Sequence, residues 1–384
     1  MNSIGFRKQI LSSYGASDTV IDELLPYSKN RFDHFGLSTP STYPMSDEPF
    51  AEVWEEYARE SINQGVFECL KTKLVQLNFP IKKGISQTES YRSATRKGAP
   101  LKDMEEASGL VLKHPEKLRL TLHQSPAGRI PLIISGVRAD FVSLLRAFVM
   151  KNEPKPVPDS MGAMMVAGFN NWDRIRRYRK QWEIENSKDC TETRWKEEFR
   201  KIIAQKELYQ DRFIILSDGP YSAIPAQEMG MTDREWRRAS LIIRQEHECA
   251  HYFTRRLYSS MSNNLHDEII ADYMGIVIAA GRYRADWFLK FMGLDDYPNY
   301  RTGGRLENYR GDPPLSDEAF NILMLLVKNA AVQLERVDKK LYKNQRRIID
   351  GAEMIMALTE LTLEELAWEK SDILLLDMLN KPMK

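Results

Sequence analysis

The segment "RQEHECAHYF", residues 244–253, carries two histidines four positions apart and a glutamate directly after the first. Residues i and i+4 lie on one face of a helix, so His247 and His251 would project side by side over successive turns. Two imidazole nitrogens placed in this way can bind one zinc ion at about 2.0–2.1 Å. Glu248 lies between them, close enough to act on a zinc-activated water without being a ligand. The spacing therefore predicts a zinc site in which Glu248 is the general base.

A catalytic zinc ion needs a third protein ligand and an open position for water. The extended pattern HExxHxxGxxH does not supply it, because Thr254 and Leu257 stand where glycine and histidine would be required. The downstream segment "NNLHDEIIADYMG" offers Glu268 and Asp272, four residues apart. The glutamate could bind the ion, and the aspartate could accept a hydrogen bond from the second nitrogen of a ligand histidine. Gly275, on the same face, would let this helix pack closely against the first.

"HECAH" followed by "DEIIAD" resembles the gluzincin branch of the zincin metallopeptidases, in which an HExxH helix is followed by a Glu-x-x-x-Asp helix. The resemblance covers residues 232–281. It implies a zinc cofactor and a zinc-dependent metallopeptidase. It also implies a role for each matching residue: zinc ligands His247, His251 and Glu268, general base Glu248, and the supporting cofactor-binding residue Asp272.

The connection between the two motifs departs from the thermolysin-type pattern. Sixteen residues separate His251 from Glu268, which is a tighter connection than in those enzymes. His266, Asp267 and Asp272 therefore remain alternative third ligands.

The sequence also predicts the helices and the strand that position these residues. Thr232 and Glu235 form a capping-box pattern, and the helical period that follows predicts a helix of six or seven turns around the HExxH motif. The buried-looking run 212–217 predicts a strand before it. By the resemblance, this strand is the edge strand that would pair with an extended peptide substrate. A second helix is predicted from Asn264.

A peptidase of this kind also needs a hydrogen-bond donor for the oxyanion of the tetrahedral intermediate. We rank His266 and Tyr309 first as catalytic candidates. Glycines 303 and 304 interrupt the segment that carries Tyr309, so it could close over a substrate. Three further candidates lie near the strand or in this segment: Tyr221, Tyr300 and Arg301.

The overall pattern predicts an α+β protein, with a helical N-terminal region, a small and mainly antiparallel sheet, the HExxH helix and a helical C-terminal region. We place the N-terminal region at residues 1–105 and a zincin-like metallohydrolase domain at 106–384. In that domain, residues 106–258 hold the sheet and active helix, and 259–384 are helical. The runs "KLRLTLHQ" and "IPLIISG", joined by "SPAGR", predict a β-hairpin.

The amino-acid composition and net charge indicate which classes of binding partner to expect. Of 384 residues, 42% are apolar and 28% charged, with a formal net charge of +1, so a nucleic-acid partner is not expected. The basic segment 174–180, interleaved with aromatics, fits a surface helix better than a nucleic-acid site. No apolar run approaches the length of a membrane span or a signal peptide. The three cysteines form no metal or disulfide pattern, and a cytoplasmic location is expected.

The expected activity is zinc-dependent hydrolysis of peptide bonds in a protein or peptide substrate. Two alternatives remain open at this stage. One is a zincin-like protein that binds zinc but works as a regulatory or interaction module. The other is a zinc hydrolase of non-peptide amides. The presence of Glu248 argues against the first, since a purely structural zinc site has no use for a base.

Overall fold

The structure is a computed structural model that describes residues 3–34, 42–259, 264–343 and 351–380. Within these ranges it contains fifteen α-helices, four β-strands and short 3-10 turns. The helices are α1 (Ile4–Ser13), α2 (Asp18–Tyr27), α3 (Phe50–Gln64), α4 (Val66–Lys73), α5 (Glu89–Lys97), α6 (Arg138–Phe148), α7 (Trp172–Glu185), α8 (Glu192–Ala204), α9 (Asp233–Tyr258), α10 (Leu265–Ala280), α11 (Ala285–Met292), α12 (Asp317–Lys343), α13 (Gly351–Thr359), α14 (Leu363–Ala367) and α15 (Ser371–Asn380). The strands are β1 (Arg119–Ser125), β2 (Gly128–Ser135), β3 (Ala163–Asn170) and β4 (Gln210–Ser217). The predicted α+β class is confirmed.

The chain divides into two compact units. The sheet unit comprises residues 46–219, and the helical unit comprises residues 1–45 together with 220–384. This division differs from the sequence-based boundary at residue 105, because α1 and α2 belong to the same unit as the C-terminal helices. All the zinc-ligand and catalytic residues proposed from the sequence lie in the helical unit.

The four strands form one mixed sheet in the order β1-β2-β4-β3. The predicted hairpin is confirmed, since β1 pairs antiparallel with β2. Strand β4 pairs parallel with β2 and antiparallel with β3. Two of the three pairings are therefore antiparallel, as the sequence predicted. Aromatic side chains fill the core of this unit, where Trp54, Phe148 and Phe169 pack around Phe213.

The prediction that residues 212–217 form a free edge strand is wrong. Strand β4 has a hydrogen-bonded neighbour on each side, so its backbone groups are already paired and cannot accept a peptide as an added strand. A buried run of Phe, Ile and Leu is typical of an interior strand with both faces covered, and this is its position here.

Two findings bear on the expected partners. The arginines of α7 are paired with carboxylates: Arg174 lies 2.6 Å from Asp211, and Arg179 lies 2.8 Å from Glu183. The Arg174–Asp211 pair is buried, whereas Arg179 and Glu183 are exposed, so α7 has one buried face and one face at the surface. In the part of the chain that the structure describes, no helix is long and apolar enough to cross a membrane.

Helices α9 and α10 carry the HExxH and Glu-x-x-x-Asp motifs. The predicted capping box begins α9: the Thr232 side chain accepts from the backbone N–H of Glu235, and the Glu235 side chain accepts from that of Thr232. Helix α10 approaches α9 closely at Gly275, where an added Cβ would lie 2.7 Å from the carbonyl oxygen of Ile243. The two backbones can come this close only because Gly275 has no side chain.

Gly275→Ala is therefore expected to destabilise the protein. The added methyl group would force α10 away from α9, and overpacking of this kind typically costs about 1–3 kcal/mol. Urea unfolding of the variant and the wild type measures the difference in the free energy of unfolding. Gly5→Ala is the matched control, because Gly5 also lies in a helix but an added Cβ there meets nothing within 4 Å. Equal stability of the two variants would contradict the close approach.

Candidate metal centre

Helix α9 brings two imidazoles together in the helical unit. His247 and His251 are both buried, and their Nε2 atoms lie 3.1 Å apart. Their i,i+4 spacing on a regular helix places both rings on one face. The arrangement predicted from the sequence is therefore present, with both Nε2 atoms directed at the same point.

Helix α10 adds a carboxylate to this point. Glu268 places Oε2 3.6 Å from Nε2 of His247 and Oε1 3.5 Å from Nε2 of His251. Two ligand atoms of a tetrahedral zinc ion with bonds of about 2.0–2.1 Å lie about 3.3 Å apart. The three donors are thus spaced as a shared ion requires, and together they form a cluster that could hold a metal ion.

Each histidine has a carboxylate beside its second ring nitrogen. Asp272 Oδ1 lies 2.9 Å from Nδ1 of His247, which is the supporting position expected from the sequence. Asp267 Oδ2 lies 3.0 Å from Nδ1 of His251, but the two groups form no hydrogen bond. The hydrogen bond to Asp272 fixes the orientation of the His247 ring, and the Nε2 atom of each histidine lies on the side away from these carboxylates. Asp267, considered only as an alternative ligand in the sequence, lies instead behind His251.

The structure adds one residue that the sequence reasoning missed. The guanidinium of Arg305 donates to Glu268 Oε2 at 2.8 Å and to the Tyr221 hydroxyl at 2.9 Å, and it lies 3.2 Å from Asp272 Oδ2. Arg305 follows directly on Gly304, in the segment that was expected to approach the site. In the sequence, the one feature that pointed to Arg305 was its position next to Gly303 and Gly304. Arg301 lies close to the same two glycines, so this feature does not distinguish the two arginines.

The buried groups around the three donors carry excess negative charge. Three carboxylates, those of Glu268, Asp267 and Asp272, are buried there, and the guanidinium of Arg305 contacts two of them, Glu268 and Asp272. Both carboxylate oxygens of Asp267 lack a hydrogen-bond partner although the residue is buried. Uncompensated buried charge is costly, so a bound divalent cation fits this set of residues.

The pKa shifts of Glu268 and His251 reflect the opposite charges that are buried beside each of them. Burial raises the pKa of Glu268, but His251, His247 and Arg305 outweigh burial and hold it well below its usual range. Burial lowers the pKa of His251, but Asp267 and Glu268 outweigh it and raise that pKa well above its usual value. In the metal-free protein, a proton on His251 thus supplies positive charge. Glu268 remains ionised, as a metal ligand must be.

Glu248 follows His247 directly on α9 and is half-buried. Its position one residue after the first histidine puts it beside the ligand face of the helix. This is the placement that the HExxH pattern gives to a general base.

Of the five oxyanion-donor candidates, Tyr309 and Tyr221 lie near residues of the metal centre. For Tyr309, burial followed by the charge of Glu268 raises the pKa of the hydroxyl, which therefore stays protonated. Tyr221 is also in the site, but its hydroxyl donates to Asp272 Oδ1 at 2.6 Å. It therefore supports the carboxylate behind His247.

The other three candidates make contacts elsewhere. His266 Nε2 is 3.0 Å from the carbonyl oxygen of Leu358, and its ring packs against Phe32. Burial lowers the pKa of His266 to about 4, so the ring is neutral and donates to this carbonyl. The hydroxyl of Tyr300 donates to the carbonyl of Gly304, and the guanidinium of Arg301 donates to Asp295. These contacts hold local structure, and they give no support to a catalytic role for His266.

Comparison with known proteins identifies a family whose function is unknown. No curated protein and no solved structure matches the chain. Residues 9–370 match a family described as "Family of unknown function (DUF7005)", which is nearly the whole sequence and includes every residue of the candidate metal centre. The chain therefore belongs to the family DUF7005.

Proposed function

We propose that this protein is a zinc-dependent metallopeptidase of the gluzincin type. The observation that carries the proposal is the convergence of His247, His251 and Glu268, with Glu248 directly after the first ligand. Two neutral nitrogens and one carboxylate are a ligand set found in catalytic zinc sites. A cytoplasmic location and a peptide or protein substrate, rather than a nucleic acid, are parts of the same proposal.

The residues have separate tasks in this reaction. A bound zinc ion would polarise the substrate carbonyl and lower the pKa of the attacking water. Glu248 would accept the proton from that water and pass it to the nitrogen of the leaving amine. The Tyr309 hydroxyl would donate a hydrogen bond to the developing oxyanion. Asp272, Asp267 and Arg305 would hold the ligand side chains in place.

A screen against a proteome-derived peptide library tests the proposal. Zinc-loaded protein is incubated with the library, and new peptide termini are identified by mass spectrometry. The account predicts termini that appear with the wild type and not with Glu248→Gln. Zinc binding without any new termini would favour the alternative of a zinc-binding interaction module. Hydrolysis confined to small non-peptide amides would favour the other alternative.

Tyr309→Phe should keep its zinc but lose turnover. Removing one oxyanion donor typically lowers kcat by about 10²–10³ with little change in KM. Tyr300→Phe is the matched control, since it also removes a tyrosine hydroxyl from this segment. That hydroxyl donates to the carbonyl oxygen of Gly304 and has no role in the metal centre. Measuring the turnover and the zinc content of both variants shows whether Tyr309 is the oxyanion donor. If Tyr309→Phe keeps kcat within a few-fold of Tyr300→Phe, Tyr309 is not the donor.

A further inference from the structure

Arg305 places a permanent positive charge against the metal centre. Its Nη2 donates to Glu268 Oε2 at 2.8 Å, and its Nη1 lies 3.2 Å from Asp272 Oδ2. The side chains of Arg305, Glu268 and Asp272 are only 13%, 10% and 0% exposed. Because a guanidinium is not deprotonated in proteins, this buried cation is a fixed part of the site.

The guanidinium shares one carboxylate oxygen with the metal centre. Glu268 Oε2, which accepts from Arg305, also lies 3.6 Å from Nε2 of His247. A zinc ion bonded to this oxygen at about 2.0–2.1 Å would lie within about 5 Å of the guanidinium. Two cations would then be held by one carboxylate, and their mutual repulsion would oppose the binding of the metal ion.

The backbone around Arg305 fixes the guanidinium in this position. Gly304 packs so closely against Gly293 that a Cβ added to Gly304 would lie 2.6 Å from Gly293 Cα. The hydroxyl of Tyr300 donates to the carbonyl oxygen of Gly304 at 2.6 Å. The guanidinium donates to the Tyr221 hydroxyl at 2.9 Å and lies 5.5 Å from the centre of that ring. These contacts hold Arg305 beside the metal centre when a metal ion enters.

Two opposite effects of Arg305 on zinc affinity can be compared by size. Loss of a side chain that supports a metal ligand typically weakens metal affinity by about 10- to 100-fold. Repulsion between two unit charges about 4–5 Å apart, at the effective dielectric constant of protein sites, changes a binding constant by about two to three orders of magnitude. Zinc carries two charges, so repulsion is the larger effect and the arginine lowers zinc affinity on balance.

The same charge stabilises the protein before zinc is bound. Glu268 and Asp272 are buried, and a buried carboxylate without a cation is costly. Arg305 contacts both of them, so it balances part of their charge in the metal-free protein. A bound zinc ion would supply that positive charge instead.

We infer that Arg305 is a built-in counter-charge, which keeps the metal-free protein folded and holds zinc affinity below the value that the three donor side chains alone would give. The inference rests on the proposed zinc site and adds its regulation, since zinc would then bind reversibly and occupancy would follow the supply of zinc. Arg305 is a positioning residue in this account, because it acts through Glu268 and Asp272.

Zinc affinities of variants that remove this charge test the inference. Competition titration of the full-length protein with a chelator of known affinity gives the zinc Kd of Arg305→Met, Arg305→Gln and Arg305→Lys. The Met and Gln variants should bind zinc at least about tenfold more tightly than the wild type, because both lack the charge. Arg305→Lys keeps the charge and should bind zinc no more tightly than the wild type.

Arg301→Met is the matched control. Arg301 lies in the same segment, but its guanidinium donates to Asp295 and to the carbonyl oxygen of Lys290, and neither residue belongs to the metal centre. The zinc Kd of this variant should stay within a few-fold of the wild type.

Thermal unfolding supplies a second readout. Without metal, Arg305→Met should unfold at a lower temperature than the wild type, because two buried carboxylates lose their cation. The difference should shrink when zinc is added, since a ligand that binds the variant more tightly stabilises it more. If Arg305→Met folds only with zinc, the inference is supported, because zinc then replaces the lost charge.

Zinc binding by both Arg305→Met and Arg305→Gln that is equal to or weaker than that of the wild type would overturn the inference, since a merely supporting role predicts a loss of affinity. So would both variants remaining unfolded in the presence of zinc. A wild type that binds no zinc would contradict the metal site itself. Failure of the peptidase proposal alone is recognised separately, as zinc binding by the wild type without new termini in the library screen.

Discussion

Replacing Glu248 by glutamine should leave the zinc content at the wild-type level and lower kcat by about 10²–10⁴. The amide has nearly the same size as the carboxylate but cannot accept the proton of the attacking water. Because Glu248 is not a ligand in this account, the metal centre itself should be unaffected. Metal analysis and initial-rate kinetics on the same preparation separate the two quantities, and KM should change little.

Glu246→Gln is the matched control for this prediction. Glu246 lies two residues earlier on α9, which turns it about 200° around the helix axis, away from Glu248. Its kcat should stay within a few-fold of the wild type. Wild-type turnover in Glu248→Gln would exclude the proposed general base, and loss of zinc from that variant would show that Glu248 is part of the coordination.

Substitutions in the metal centre should divide into two classes. His247→Ala, His251→Ala and Glu268→Ala each remove a donor atom and should reduce the bound zinc to near zero. Asp272→Asn and Asp267→Asn keep all three donors and should weaken zinc affinity by only about 10- to 100-fold. Competition titration with a chelator of known affinity measures each Kd.

The same series decides among the third ligands that the sequence left open. Glu268 is the carboxylate that lies 3.5–3.6 Å from both Nε2 atoms, whereas Asp267 and Asp272 lie beside the Nδ1 atoms. If Asp267→Asn loses the metal and Glu268→Ala retains it, the ligand assignment is wrong by one residue.

The sequence was informative where the chemistry depends on local geometry. The i,i+4 spacing of His247 and His251 places both rings on one face of any regular helix, whatever the rest of the fold. The same holds for Glu268 and Asp272 on the following helix. Gly275 could be interpreted correctly because it lies on the helix face that carries Glu268 and Asp272, where the absence of a side chain permits close approach of the two backbones.

The sequence was uninformative where the answer depends on contacts between distant segments. The apolar run of β4 is compatible with an edge strand or an interior strand, and only its pairing with β2 and β3 decides. The N-terminal helices have no local pattern that assigns them to a unit, so their packing with the C-terminal half was not foreseen. Arg305 was missed for the same reason, because its contacts with Glu268 and Tyr221 span 37 and 84 residues of sequence.

Metal analysis of the purified wild-type protein tests the central claim most directly. The geometry of His247, His251 and Glu268 predicts about one zinc ion per chain, either as purified or after removal with a chelator and addition of one equivalent of zinc. His251→Ala, treated identically, should hold close to none. A wild-type protein that binds no zinc even after zinc is added back, or one that binds it equally well without His251, would contradict the account.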